Sequence, residues 1–70
     1  MIPLDLADIG KENVIKKVGG SPDVKKHLED LGFTAGGLVT VVSAMGGNVI
    51  VKVKESRIAI SREMARRIMI

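Results

Sequence analysis

Apolar residues fall in short runs punctuated by glycine, and their spacing changes from one run to the next. Residues 1–9 set Leu4, Leu6 and Ile9 behind Pro3, which predicts an extended arm closed by a turn at Gly10. Val14, Ile15 and Val18 lie within residues 12–18. Adjacent β-branched residues followed by Lys16 and Lys17 predict one strand with a wet face, ended by Gly19-Gly20. The next segment reads differently. Ser21-Pro22-Asp23 is a helix start: a hydroxyl for an orphan N–H, a pre-set φ, and an acid for the helix dipole. Val24, Leu28 and Leu31 then recur at helical spacing. Gly32 is the stop signal, so the helix runs about nine or ten residues. Lys25 with Glu29 and Lys26 with Asp30 are candidate ion pairs on its wet side.

Residues 33–37 form a turn, and residues 38–43 a strand apolar on both faces, hence central or curled over the core. Residues 44–48 read as a glycine-rich hairpin loop. Val49, Val51 and Val53 then alternate with Ile50, Lys52 and Lys54, the pattern of a half-exposed strand. After a turn at Glu55-Ser56, Arg57 to Ile60 make a third meander strand with Ile58 and Ile60 on one face. Ser61 caps a short helix with Glu63 in its first turn. Ala65 and Ile68 face in, Arg62, Arg66 and Arg67 face out, and residues 68–70 form the last strand. The expectation is a mainly-β single domain spanning residues 1–70. It is a small closed barrel of about five strands, with one α-helix between strands 1 and 2 and a short helical turn before the last. Closure removes the edges that so small a sheet could not otherwise protect.

Composition changes the picture at three points. In a chain of 70 residues, nearly every Val, Ile, Leu and Met is needed for one core, leaving little apolar surface to line a deep catalytic pocket. Without cysteine there is no disulfide, thiolate metal site or thiol nucleophile, and one histidine does not build a multi-histidine site. Phe33 is the only aromatic residue, which argues against peptide grooves and base-stacking surfaces built on aromatic platforms. The net charge of +3 is mild for a dedicated nucleic-acid binder. Asp5 and Asp8 interrupt the amino-terminal residues, so no secretory signal is expected, and a soluble cytosolic protein is the default.

Four pieces occur in a telling order: Leu4-x-Leu6-x-x-x-Gly10, the strand ending at Gly19-Gly20, Leu28-Glu29-Asp30-Leu31-Gly32-Phe33-Thr34-Ala35-Gly36, and the tail from Ile58 to Ile70. At these spacings, over nearly the whole length, the chain resembles the ferrous iron transport protein A (FeoA) family. These are small SH3-like barrels that also occur as the C-terminal domain of iron-dependent repressors. Two departures are Ala35, where proline is common in the family, and the short glycine-rich loop at residues 44–48. The resemblance implies a cytoplasmic accessory partner of the ferrous iron transporter FeoB. It would dock on the GTPase-bearing cytosolic part and modulate uptake. The resemblance implies neither catalysis nor a cofactor.

The family motif is mostly structural and hands over no contact residues. Candidates for the partner surface come instead from expected exposure: Met45 at a loop tip, Ile50 on the wet face of its strand, and Arg57, Arg62 and Arg66 facing an acidic partner. Met45 has a second reading, folding back over the barrel mouth, and the cations a second reading as a solvated face. His27 shares its helix with Asp23 and Asp30, a weak candidate metal site beside the favoured reading of a solvated surface histidine; a metal held there is expected to bridge two molecules. Two alternatives stand beside docking. One is a small basic barrel binding nucleic acid through Arg62, Arg66 and Arg67, and the other is a detached regulatory module like the repressors' C-terminal domain. Gly19-Gly20-Ser21 lacks the Gly-Lys-Ser/Thr of a nucleotide loop and reads as a turn with a cap.

Overall fold

A computed structural model describes residues 1–70. The elements are a 3-10 turn (Leu4–Leu6), β1 (Glu12–Val14), β2 (Lys17–Val18), α1 (Pro22–Asp30), β3 (Leu38–Met45), β4 (Asn48–Val53), β5 (Ser56–Ser61), α2 (Arg62–Ala65) and β6 (Ile68–Met69). The strands form a four-stranded sheet in the order β1-β3-β4-β5 and a two-stranded sheet, β2-β6. All pairings are antiparallel.

α1 forms where its sequence signals place it. The Ser21 hydroxyl accepts from the Val24 N–H at 3.4 Å, and Pro22 takes the first helical position, where a missing N–H does no harm. At the other end the Gly32 N–H donates to the Glu29 carbonyl and the Phe33 N–H to that of Leu28, both at 2.9 Å. This crossed pair needs a left-handed residue between helix and exit, and Gly32 supplies it at φ +108°. Phe33, the residue after it, is completely buried and pins the exit to the core. α2 repeats the start signal in brief, with the Ser61 hydroxyl accepting from Met64 N–H at 3.1 Å.

Three expectations give way to tertiary context. The single strand expected over residues 12–18 is two strands in two sheets. Ile15 makes the break: it is buried, its N–H donates to the Gly37 carbonyl and its carbonyl accepts from Gly36. The chain then turns from β3 toward β6, where Lys16 N–H donates to the Met69 carbonyl. The amino-terminal arm is not extended throughout, since Leu4–Leu6 coil into the 3-10 turn that buries Leu4. Before that turn, Ile2 and Ile70 exchange a pair of backbone bonds of 3.0 and 2.9 Å, so the two chain ends pair. Finally, the six strands do not close into one hydrogen-bonded ring. β5 bonds only to β4, and α2 packs beside β4, β5 and the 3-10 turn.

The hairpin between β3 and β4 is also tighter than the loop expected over residues 44–48. Met45 pairs with Asn48 across a two-residue Gly46-Gly47 turn, which Gly46 makes feasible at φ +57°. Between Val41 and Ser43 the register slips by one residue, a bulge that leaves Val42 extra and bends β3.

One core of fourteen buried apolar residues joins both sheets and both helices. Val39, Val49, Val51, Val53 and Ile60 supply the large sheet, Val18 and Ile68 the small one, and Leu28 and Ala65 the helices. Ala65, fully buried, lets α2 approach closely. The expectation that nearly every large aliphatic side chain is needed inside does not hold. Leu6, Ile9 and Met45 are more than three-fifths exposed, and Val14 and Leu38 about half. Phe33 and the tightly packed valines fill the interior without them.

Candidate docking surface

Antiparallel register lines up the outward-facing side chains of the large sheet in rows. One row runs Glu12, Thr40, Lys52, Arg57. The next runs Ser43, Ile50, Ala59, and the last Met45, Asn48, Ser61. Ile50 is half-buried in the middle of its row, while Arg57 and Lys52 are exposed and directly opposed across β4 and β5.

Met45 is 71% exposed at the end of β3, so it does not fold back over the barrel. Arg62 joins it at the hairpin tip. Its guanidinium Nη2 donates to the Gly46 carbonyl at 3.4 Å, and its backbone N–H to the Gly47 carbonyl at 2.8 Å. The start of α2 is thereby tied to the β3–β4 turn. Met45, Ile50, Arg57 and Arg62 thus lie along one half of the sheet, from the hairpin tip down β4 and β5.

Arg66 lies apart from them. Its Nε donates to Asp5 Oδ2 at 3.2 Å, joining α2 to the 3-10 turn. The Asp5 side chain is only 9% exposed, and its Oδ1 is buried without a partner. This is the only ion pair in the chain; neither Lys25–Glu29 nor Lys26–Asp30 forms. On a fully solvated helix face such pairs gain too little to hold two long side chains in one geometry. His27 is exposed on α1, and no three His, Asp or Glu side chains come together as a metal-ligand group.

Some surface features escaped the sequence reading. Val14 and Leu38, about half exposed, are cross-strand partners in the large sheet. Leu6, the last residue of the 3-10 turn, and Ile9, three residues beyond it, have their side chains out. Alternation marks Val14 and Leu38 as outward only once the β1–β3 register is known. Two open grooves complete the surface, of about 390 and 340 Å³. Glu12, Gly36, Leu38, Thr40 and Lys52 are among the residues lining the first, and Lys16, Lys17, Lys25, Glu29 and Thr34 the second. No helix is long and apolar enough to cross a membrane.

Charge is unevenly distributed. Residues 52–70 hold six of the eleven Lys and Arg but two of the eight Asp and Glu, a net +4, against −1 for residues 1–51. Glu55 offsets Lys54 and Glu63 offsets Arg62, so the excess sits on Lys52 of β4, Arg57 of β5, and Arg66 and Arg67 just after α2.

Comparison with known proteins gives this surface a setting. Residues 2–70 match the FeoA domain family. A protein of Methanocaldococcus jannaschii named "Putative Fe(2+) transport protein A" is 34% identical over 70 residues, covering all of this chain and 85% of that one. The solved structure of Stenotrophomonas maltophilia FeoA, in complex with zinc and described as a prokaryotic SH3 domain protein, superposes with a TM-score of 0.86 at 23% identity. The match covers 99% of this chain and 88% of that one. A manganese-dependent transcriptional repressor shares the fold at a TM-score of 0.85 and 13% identity, over 94% of this chain and 38% of its own. With the fold SH3-like and the family match running through both sheets, both helices and the paired chain ends, the chain belongs to the FeoA domain family.

Proposed function

We propose that this chain is a cytosolic accessory protein of ferrous iron uptake that works by docking on the cytosolic part of a FeoB-type transporter. It catalyses nothing itself; its effect on transport comes from the contact. Family membership supports the setting. The observation that carries the contact reading is the hairpin tip. There a flexible, 71% exposed Met45 flanks the two-residue Gly46-Gly47 turn to which Arg62 is bonded. A thioether that adapts its shape, with a cation tied to the same turn, suits a partner surface more than it suits solvent. Ile50 and Arg57 extend the same face.

The test is a binding titration of the chain with the transporter's cytosolic domain, followed by chemical-shift mapping. Saturable binding with shifts on the β3–β4–β5 face is the expected result. No binding at tens of micromolar overturns the reading.

A further inference from the structure

β5 is an edge strand with little to protect it. Its one strand neighbour is β4, and no backbone bond outside that ladder reaches residues 56–60. α2 packs beside it, starting from its C-terminal end, where Ser61 passes into Arg62. Proteins blunt open edges with proline, bulges or lysine, because unpaired N–H and C=O groups template another strand. β5, of sequence Ser-Arg-Ile-Ala-Ile-Ser, has no proline, bulge or lysine, its one protecting charge is Arg57, and its register with β4 is regular over six pairs.

The register also says which groups are open. Val53 and Ser56 close a two-residue turn, and the pair that closes such a turn exchanges both backbone bonds. Alternation then makes Val51–Ile58 and Val49–Ile60 bonded pairs as well. The N–H and C=O of Arg57 and Ala59 therefore point away from β4, into solvent. Both residues are exposed. Their side chains lie on the outer face, in the rows of Lys52 and Ile50 respectively.

Those rows define what an added strand must carry. Lys52 and Arg57 are opposed like charges, which destabilise each other across a ladder, and neither has an acidic partner within the chain. A carboxylate set beside Arg57 relieves that repulsion. Ala59 is only a methyl group between half-buried Ile50 and the open edge, so a large apolar side chain set beside it can lean across toward Ile50. We infer that the β5 edge is a strand-addition site for an extended acidic segment of a partner protein, presenting a carboxylate and a large aliphatic side chain two residues apart. The exposed, unpaired cations of Arg57 and Lys52 favour an acidic strand over a second copy, whose own β5 would bring further Arg57 and Lys52 side chains into like-charge company. The inference rests on the docking reading above and supplies the partner's chemistry.

The experiment titrates the ¹⁵N-labelled chain with two probes separately: the transporter's cytosolic domain, and a capped peptide alternating valine with glutamate. Expected are shifts and slowed hydrogen exchange at the Arg57 and Ala59 amides with both probes. Arg57→Glu should weaken peptide binding about tenfold, because an opposite-charge cross-strand pair becomes a like-charge one. Ala59→Pro should abolish it by removing an outward N–H that β4 does not use. If that variant misfolds, Ala59→Lys, which keeps the backbone donor but places a gatekeeper cation over Ile50, should weaken the aliphatic contact. If the domain binds and shifts only the Met45–Arg62 tip, the strand-addition site is overturned and docking stands. If the domain does not bind but the peptide still orders the edge, docking fails and the edge survives as a site for another acidic strand. Silence of the edge amides to both probes, self-association through β5 without peptide binding, or displacement of the peptide only by nucleic acid each overturns the inference.

Discussion

Leu28→Ala tests whether α1 is held by one residue. Leu28 is fully buried, while its helical neighbours on the stripe, Val24 and Leu31, are only partly so. Truncation removes buried methyl and methylene groups and leaves a cavity under a nine-residue helix that has no second buried anchor to collapse inward. Substitutions of this kind cost about 2–5 kcal/mol, and an unbuttressed site belongs near the middle, at about 3 kcal/mol. A domain of 70 residues has roughly 3.5–10 kcal/mol in total, so the loss is about three-tenths or more of its stability. The midpoint of thermal unfolding should fall by roughly 12–24 °C. The loss spreads to Phe33, whose N–H donates to the Leu28 carbonyl. Urea unfolding followed by far-UV circular dichroism suits a chain without Trp or Tyr, with Lys25→Ala on the exposed face as the control, expected within about 0.5 kcal/mol of the parent. A lower midpoint at unchanged slope is the expected signature. A cost below about 1 kcal/mol, or one equal to the control, refutes the claim that Leu28 anchors the helix.

Lys54 is the one non-glycine residue with positive φ, at +56° in the β4–β5 turn. Lys54→Gly should stabilise by about 0.5–1 kcal/mol after the added entropy of the unfolded chain is subtracted, read as a raised urea midpoint. Arg66→Ala should cost about 1 kcal/mol, because it leaves a carboxylate only 9% exposed without its donor, whereas Asp5→Asn should be nearly neutral since Arg66 is 64% exposed and returns to water. If the asparagine variant proves the less stable in denaturation, the carboxylate is worth more than this geometry says. Ala65→Leu should destabilise by about 1–3 kcal/mol through overpacking, and a melt unchanged from the parent would show that α2 does not seat tightly.

Legibility in the sequence followed the range of the forces involved. The start and stop of α1, the cap of α2, the inward set of β4 and the meander itself are set within a few residues, by caps, glycine and alternation. The break between β1 and β2 was not readable, because Ile15 turns there only to exchange bonds with Gly36 and Gly37, more than twenty residues on. The same holds for the surface. Ile50 was readable as outward from alternation, whereas Met45 had two readings that only its place at the end of β3 decided. That Arg62 joins Met45 while Arg66 goes to Asp5 depends on where α2 lands.

The spacing of apolar residues by itself determined a small mainly-β chain with one capped helix, and the ordered glycine-bearing motifs placed it in its family. Only tertiary structure decided that the strands form two sheets rather than a ring, that the chain ends pair, and that β5 keeps an open edge. Pattern records which face of an element is apolar. It does not record which neighbour that element meets, and the free edge, the hairpin tip and the orphaned Asp5 oxygen are all consequences of neighbours.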